Sequence, residues 1–360
     1  MRVVVQMVAM LPLAAGMVAQ PIRGPWPQSF PAKELCSNCG LCLTSTGVRH
    51  VAEACAFIGD GMSRGEALEE AVHGRSRRYD EDGQGDLSEA HFGVHDAILL
   101  ARGVGISGAQ WTGVTTGVAL AWLESGEVDA VVVAGSAPDG EGFAAPAPVL
   151  CRTADEVLQG RRVKPSLCPS LAILDEVAAD QSLRRLLFCG VGCAVQALRS
   201  LGAADKQSAE QALGLDSLFV LGTHCVDNSP TPKRALEFVS TLPSVGEERA
   251  SSVVAYEFMS DFRVHARVRD GAGGEETVKD AYMTLPPKIG IPSIAPSCFS
   301  CFDYTNGLVR QLEPNPRPAC LTAATRLSRV AFEAIRPRLR RRIWWSATWE
   351  PRLTATLGLR

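Results

Sequence analysis

Three cysteines share one seven-residue loop, Cys36-Ser-Asn-Cys39-Gly-Leu-Cys42, and a fourth thiol follows at Cys55. Nothing else in the chain constrains its fold as strongly. Thiolates spaced this tightly suit an iron–sulfur cubane, with three ligands on one loop and the fourth from the next segment. Zinc is the competing reading, because cysteines two apart also build tetrahedral structural sites, although those sites generally use two separated pairs. Gly40 serves either metal, since without a Cβ it lets the loop close and leaves backbone amides free to point at sulfur.

The chain has twelve cysteines in 360 residues, and their clustering argues for metal ligation in a reducing compartment rather than a disulfide framework. With 46% hydrophobic residues it can bury a large core and hold two or three domains. A net charge of −3 gives no electrostatic footprint for nucleic acid. The start, Met1-Arg2 and then an apolar run over residues 3–19, has the layout of an export signal and reads as an organelle-targeting remnant or a misassigned start. It is too short and interrupted for a membrane span. Residues 321–360 hold nine arginines, no lysine and two glutamates, together with three of the six tryptophans, which marks a composition break.

Hydrophobic periodicity predicts a short helix over 66–72, a surface loop over 75–89, and helix over 95–102 and 113–123. A buried strand over 129–134 follows, then loop over 138–148, helices over 154–159 and 171–179, a strand over 184–188, a cysteine-bearing loop over 189–193 and a helix over 194–201. The third strand covers 217–221, and residues 252–258 and 262–268 form a hairpin with Asp270-Gly271 as a turn signal. Strands alternating with helices define an α/β fold, a mainly parallel sheet flanked by helices, with an N-terminal cysteine-rich iron–sulfur segment. The expected divisions are a leader at 1–30, the cysteine-rich segment at 31–95, an α/β domain at 96–306 and a basic tail at 307–360.

Two strands run into cysteine loops, at Cys193 and Cys225, and a later loop carries Cys298 and Cys301. Functional groups collect beyond the carboxyl ends of strands in open α/β sheets, so these four thiols are placed to converge on a second metal site. Cys151, Cys168 and Cys320 read as buried packing residues, and Cys189 as an alternative to Cys193. The Gly103-Val-Gly105-Ile-Ser-Gly108 string fits a dinucleotide fingerprint only on paper, because a helix rather than a strand is expected before it. The next stretch, Gly108-Ala-Gln110-Trp111-Thr112-Gly113-Val-Thr115-Thr116, is small and hydroxyl-rich and opens a helix whose amides suit a phosphate. Lys164 supplies a cation for such a phosphate. The six histidines lack the paired spacing of a metal motif, and no nucleophile elbow or Walker loop is present.

The motifs SNCGLC (37–42), EACAFIGDGMSR (53–64), GAQWTG (108–113), RLLFCGVGC (185–193), LGTHCVDN (221–228), YEFM (256–259) and APSCFSCFDYTN (295–306) occur in this order. Together they resemble the family that contains the beta subunits of deazaflavin-dependent hydrogenases and the ferredoxin-dependent reductases of chlorophyll derivatives. The resemblance implies FAD, two 4Fe-4S clusters, electrons from reduced ferredoxin and a chlorophyll-derived pigment as substrate in a plastid. It implies Cys36, Cys39, Cys42 and Cys55 for one cluster, and Cys193, Cys225, Cys298 and Cys301 for the other. It places flavin against Gly108, Gln110, Trp111, Thr112, Gly113, Thr115, Thr116 and Lys164. The reaction it implies is removal of a hydroxymethyl oxygen from the pigment. The alternatives are reduction of a vinyl group on a chlorophyllide, or a truncated iron–sulfur protein without catalysis. The proton donor is not assigned, although Asp227 and Tyr304 lie beside ligand cysteines; self-association is compatible with this reading. After Asn306 the resemblance stops and an Arg/Pro-rich stretch begins, the pattern an altered reading frame or a retained intron leaves.

Overall fold

A computed structural model describes residues 37, 55–57, 65–78, 87–95, 98–100, 106–109, 113–136, 142–201, 207–259, 261–285, 287–301, 303, 306–308, 321–322 and 344–346. Its strands are β1 (Ile98–Leu100), β2 (Ala130–Ser136), β3 (Pro146–Cys151), β4 (Arg185–Val191), β5 (Ser217–Thr223), β6 (Val253–Phe258), β7 (Arg263–Arg269), β8 (Glu275–Ala281), β9 (Leu321–Thr322) and β10 (Trp344–Ser346). The helices used below are α1 (Gly65–His73), α2 (Leu87–Phe92), α3 (Val114–Glu124), α4 (Ala154–Gln159), α5 (Leu174–Ala179), α6 (Gly192–Arg199), α7 (Ala209–Leu213) and α8 (Pro232–Ser240).

The central sheet has the order β3-β2-β4-β5-β9, with β2, β4, β5 and β9 parallel and β3 antiparallel at one edge. It is therefore a mixed sheet, which corrects the mainly parallel expectation at that edge. Period-two geometry sends alternate side chains to opposite faces. Ala130, Val132, Leu186, Phe188, Leu218 and Val220 pack with α5, α6 and α7. Val131, Val133, Leu187, Phe219 and Leu221 pack with α3 and α4, where Trp122 meets Phe219 edge-on at 5.0 Å. Because both faces are covered, the strands read as unbroken apolar runs.

A second, three-stranded antiparallel sheet, β6-β7-β8, sits under α8. Val264, Ala266 and Val268 of β7 point inward onto Ala235, Phe238 and Val239 of the helix. The expected β6–β7 hairpin is present, and the turn at Asp270 joins β7 to β8: the Asp270 carboxylate accepts the amides of Ala272 and Gly274.

Four local expectations fail. Residues 98–100 form a strand paired with β10, not a helix. The 138–148 loop ends early in β3, and the 189–193 loop is replaced by β4 running to Val191 and α6 starting at Gly192. The 75–89 stretch is not a plain surface loop, because Arg77 bonds the fully buried Glu69 at 2.8 Å and Arg75 bonds Glu89. These pairs tie α1 to α2, and His73 Nε2 lies 2.8 Å from the Gly307 carbonyl oxygen. Two short pieces of the basic tail, β9 and β10, pair with β5 and β1. No helix among the described residues is long and apolar enough to cross a membrane.

Candidate functional site

Beyond the carboxyl ends of β2, β4 and β5 lies a cavity of about 1380 Å³. Cys55, Cys193 and Cys225 line it, as do Gly113, Thr115, Thr116 and Lys164. The structure thus brings the phosphate-binding candidates and members of both cysteine sets to one space. Cys36, Cys39, Cys42, Gln110, Trp111, Thr112 and Tyr304 lie outside the described residues.

Each strand end aims its cysteine for a local reason. β4 and β5 are parallel over seven residue pairs, so their ends are level, and Cys193 enters the first turn of α6 while Cys225 follows β5. Gly192 opens α6 because a Cβ there would lie 2.7 Å from the Asp303 carbonyl oxygen; only a residue without one lets the Cys301 segment approach. Asp303 is buried, and its carboxylate accepts the Gln196 side-chain amide and the Gly307 backbone amide, both at 2.8 Å. Asn306, fully buried with φ 59°, donates through Nδ2 to the carbonyls of Gly190 at 2.9 Å and Thr223 at 3.3 Å. One side chain thereby bridges the ends of the two cysteine-bearing strands.

The second thiol set sits in amide-rich surroundings. Asn228 donates its side-chain amide to Cys225 at 3.2 Å, and its backbone bonds Cys298; the Asp303 backbone bonds Cys301. The Asn228 carbonyl also accepts from Ala295 at 2.8 Å, which draws the Cys298 turn to the Cys225 loop. Burial pushes the Cys301 thiol up to about 12, and burial followed by repulsion from Cys298 and Cys301 pushes Cys225 upward. Three partly buried thiols that resist ionising next to one another are unfavourable as thiolates without a cation, and a metal inverts that preference. Among the described residues no three His, Cys, Asp or Glu side chains converge on the position of a single ion. A cubane spreads its ligands over four irons and suits the wider spacing; the donor set fits that group in kind.

Ser37 and Cys55 of the N-terminal segment reach the same place. Ser37, between Cys36 and Cys39, has its hydroxyl 2.7 Å from that of Ser297 and accepts the Ser297 amide at 2.9 Å. Cys55 is buried against the core that also receives Cys193 and Cys301. Cys55 of the first set thus shares a core with Cys193 and Cys301 of the second.

At the anion-binding side, Gly113 caps α3 in the left-handed conformation, φ 69°, with no side-chain cap, and Thr115 and Thr116 fill the first turn. Gly108, φ +71°, lies against the guanidinium groups of Arg161 and Arg162. Lys164 donates to the carbonyls of Arg161 and Arg162, and burial lowers its amine to about 8. Arg162 and Ser166, which sequence reasoning passed over, also line the cavity, and Arg162 Nε and Ser166 Oγ are buried without hydrogen-bond partners. Orphaned polar atoms, a cationic loop and a helix N-terminus fit the phosphates of a flavin.

The remaining wall is apolar. Phe238, Tyr256, Phe258 and Tyr282 form a chain of ring contacts at 5.1–6.2 Å that runs outward to Phe262. Phe258, Phe262, Met283 and Ile291 stay exposed, Met283 at 75%. Asp227 lines the cavity too, and burial raises its carboxyl. Cys189 is half-buried on β4 against the α3 and α4 layer, with Cys151 as its neighbour.

Two family patterns cover more than half of the chain. Residues 102–175 match the N-terminal region, and residues 183–308 the C-terminal region, of the coenzyme F420 hydrogenase/dehydrogenase beta subunit. The chain belongs to this family of beta subunits. Over 280 residues, 78% of the chain, it is 49% identical to 54% of the 7-hydroxymethyl chlorophyll a reductase, chloroplastic, of Oryza sativa subsp. japonica. It is 42% identical over 77% of its length to 63% of an uncharacterized protein of Nostoc sp.. The chain therefore spans between about half and two thirds of the length of these curated relatives. A solved structure of the F420-reducing NiFe hydrogenase complex from Methanosarcina barkeri contains a chain with the same fold. Its TM-score is 0.50 at 20% identity, over 68% of this chain and 79% of that one.

Proposed function

We propose that this protein is an iron–sulfur flavoprotein reductase. It takes electrons from reduced ferredoxin and converts the 7-hydroxymethyl group of a chlorophyll a precursor to methyl, in a plastid. The observation that carries the reading is the single cavity in which Thr115, Thr116 and Lys164 share walls with Cys55, Cys193 and Cys225. Similarity to the rice reductase supports the substrate and the compartment, and family membership supports an iron–sulfur oxidoreductase.

The reaction consumes two electrons and two protons and releases water. When bound, FAD supplies two-electron storage and hydride donation, which one-electron carriers cannot. The chain's own residues do the rest. Cys193, Cys225, Cys298 and Cys301 would hold one 4Fe-4S cluster, and Cys36, Cys39, Cys42 and Cys55 the other; the Ser37–Ser297 contact keeps the two close. Gly108, Gly113, Thr115, Thr116 and Lys164 would seat the flavin phosphates. The apolar wall around Phe258 and Tyr282 offers flat surface to a macrocycle.

The test is anaerobic purification with iron, sulfide and flavin counts, then incubation with reduced ferredoxin and either 7-hydroxymethyl chlorophyll a or divinyl chlorophyllide. About eight irons and one FAD per chain, with turnover of the first pigment, is the expected result. Turnover of the second pigment alone would move the substrate, and iron without flavin would leave a protein that carries electrons but does not reduce pigment.

A further inference from the structure

The segment that carries Lys164 is built unusually. It leaves α4 at Gly160, where a Cβ would lie 2.5 Å from a Val133 methyl, so the chain is pressed against the end of β2. Two residues on, Arg162 has φ 77°, a conformation that side-chain-bearing residues rarely adopt. Strain of this kind persists where surrounding structure enforces it, and it gathers at ligand sites. The enforced conformation brings Arg162 to the cavity wall, beside Gly108, whose Cβ would lie 3.6 Å from a guanidinium nitrogen. Ala109 in turn packs against Gly113 at the mouth of α3.

What Arg162 does there is incomplete. Its terminal nitrogen pairs with Glu275 of β8, in the other sheet, while its Nε is buried with no acceptor. Ser166, 2% exposed and also on the cavity wall, has a hydroxyl with no partner. A cation with a spare donor, an orphan hydroxyl and the free amides of a helix N-terminus are complementary to one chemistry, a phosphate oxyanion.

We propose that Arg162 and Ser166, with the first turn of α3, form a diphosphate-binding site, and that Glu275 holds the guanidinium in place until the anion arrives. The flavin reading names the source of that diphosphate, the FAD in the same cavity, and to that extent the inference rests on it. The anion competes with Glu275 for the guanidinium and gives Nε the acceptor it lacks. Glu275 keeps Arg267, 4.0 Å away, as its remaining partner.

Full-length protein freed of flavin is titrated with riboflavin, FMN, FAD and inorganic pyrophosphate, following flavin fluorescence quenching for the first three and thermal shift for pyrophosphate. Arg162→Met is expected to weaken FAD and pyrophosphate about tenfold or more and to change riboflavin less than about twofold, as loss of a charge-assisted contact requires. Glu275→Gln leaves the Arg162 backbone untouched and is expected to tighten FAD and pyrophosphate, but not riboflavin. Equal losses for riboflavin and FAD in Arg162→Met would overturn the proposal, since Arg162 would then merely support the fold. Unchanged or weaker FAD binding in Glu275→Gln would overturn the competition. If the native chain binds pyrophosphate through Arg162 but takes no flavin, the site stands and the flavin reading falls; if it binds riboflavin and FAD equally and ignores pyrophosphate, the site falls and the flavin reading stands.

Discussion

Asn306→Asp isolates the bridge between the cysteine-bearing strands. The substitution keeps size, shape and tolerance of the left-handed backbone at φ 59°, and it changes a donor into an acceptor facing the carbonyls of Gly190 and Thr223. The ionised side chain loses both donated bonds, at about 1 kcal/mol each. The new carboxyl also sits at a fully buried position, where an ionised group without a partner is costly, so it protonates above the ordinary carboxylate range. The neutral acid can keep one of the two bonds through its O–H, so we expect a loss of about 1 kcal/mol where it is neutral and about 4 kcal/mol at neutral pH. The sign follows from linkage: the folded pKa is raised, so the unfolded state gives up its proton first and the deficit grows as pH climbs above about 4. Anaerobic urea unfolding of both proteins at pH 5 and pH 8, followed by tryptophan fluorescence with iron content alongside, measures this. A variant as stable as the parent at both pH values, with its iron retained, would refute the bridging role.

Gly192→Ala drives a methyl to 2.7 Å from the Asp303 carbonyl oxygen, and a loss of about 1–3 kcal/mol with reduced iron content is expected from the same unfolding assay. Phosphate binding is expected to weaken as pH rises through about 8, where Lys164 loses its proton, and a flavin titration against pH should show this step vanish in Lys164→Met. Because that amine is lowered by burial, the folded protein should gain stability relative to Lys164→Met between about pH 8 and pH 10.5, measured by urea midpoints. Phe262→Ser, at the exposed end of the ring chain, should raise KM for the pigment severalfold with little change in kcat or flavin content, as removal of uniform binding requires.

The parts of the fold that announce themselves in sequence are those where local chemistry and burial agree. β2, β4 and β5 are covered on both faces and read as continuous apolar runs, and Thr153 with Glu156 forms a capping box where α4 begins. β3 was hidden because Pro146 and Pro148 argue against a strand, yet proline is tolerated at an edge. β8 was hidden because an edge strand with one partner can be as charged as Glu275 to Lys279. The clustering of the cysteines and the hydroxyl-rich turn were legible from spacing. Arg162, Ser166 and Asn228 were not, since what distinguishes them is a backbone angle, an orphaned hydroxyl and a side-chain hydrogen bond to the Cys225 sulfur.

The contacts of Ser37 with Ser297 and of His73 with Gly307 join positions 260 and 234 residues apart in the chain. At a synthesis rate of roughly 5–20 residues per second, the early segment waits some ten to fifty seconds for the partners that complete it. Until then Cys55 is made but lacks the later core that receives Cys193 and Cys301. A ribosome-bound chain therefore carries the Ser37 and His73 segments without their partners for most of its synthesis, and these long-range contacts are among the last of the fold to close.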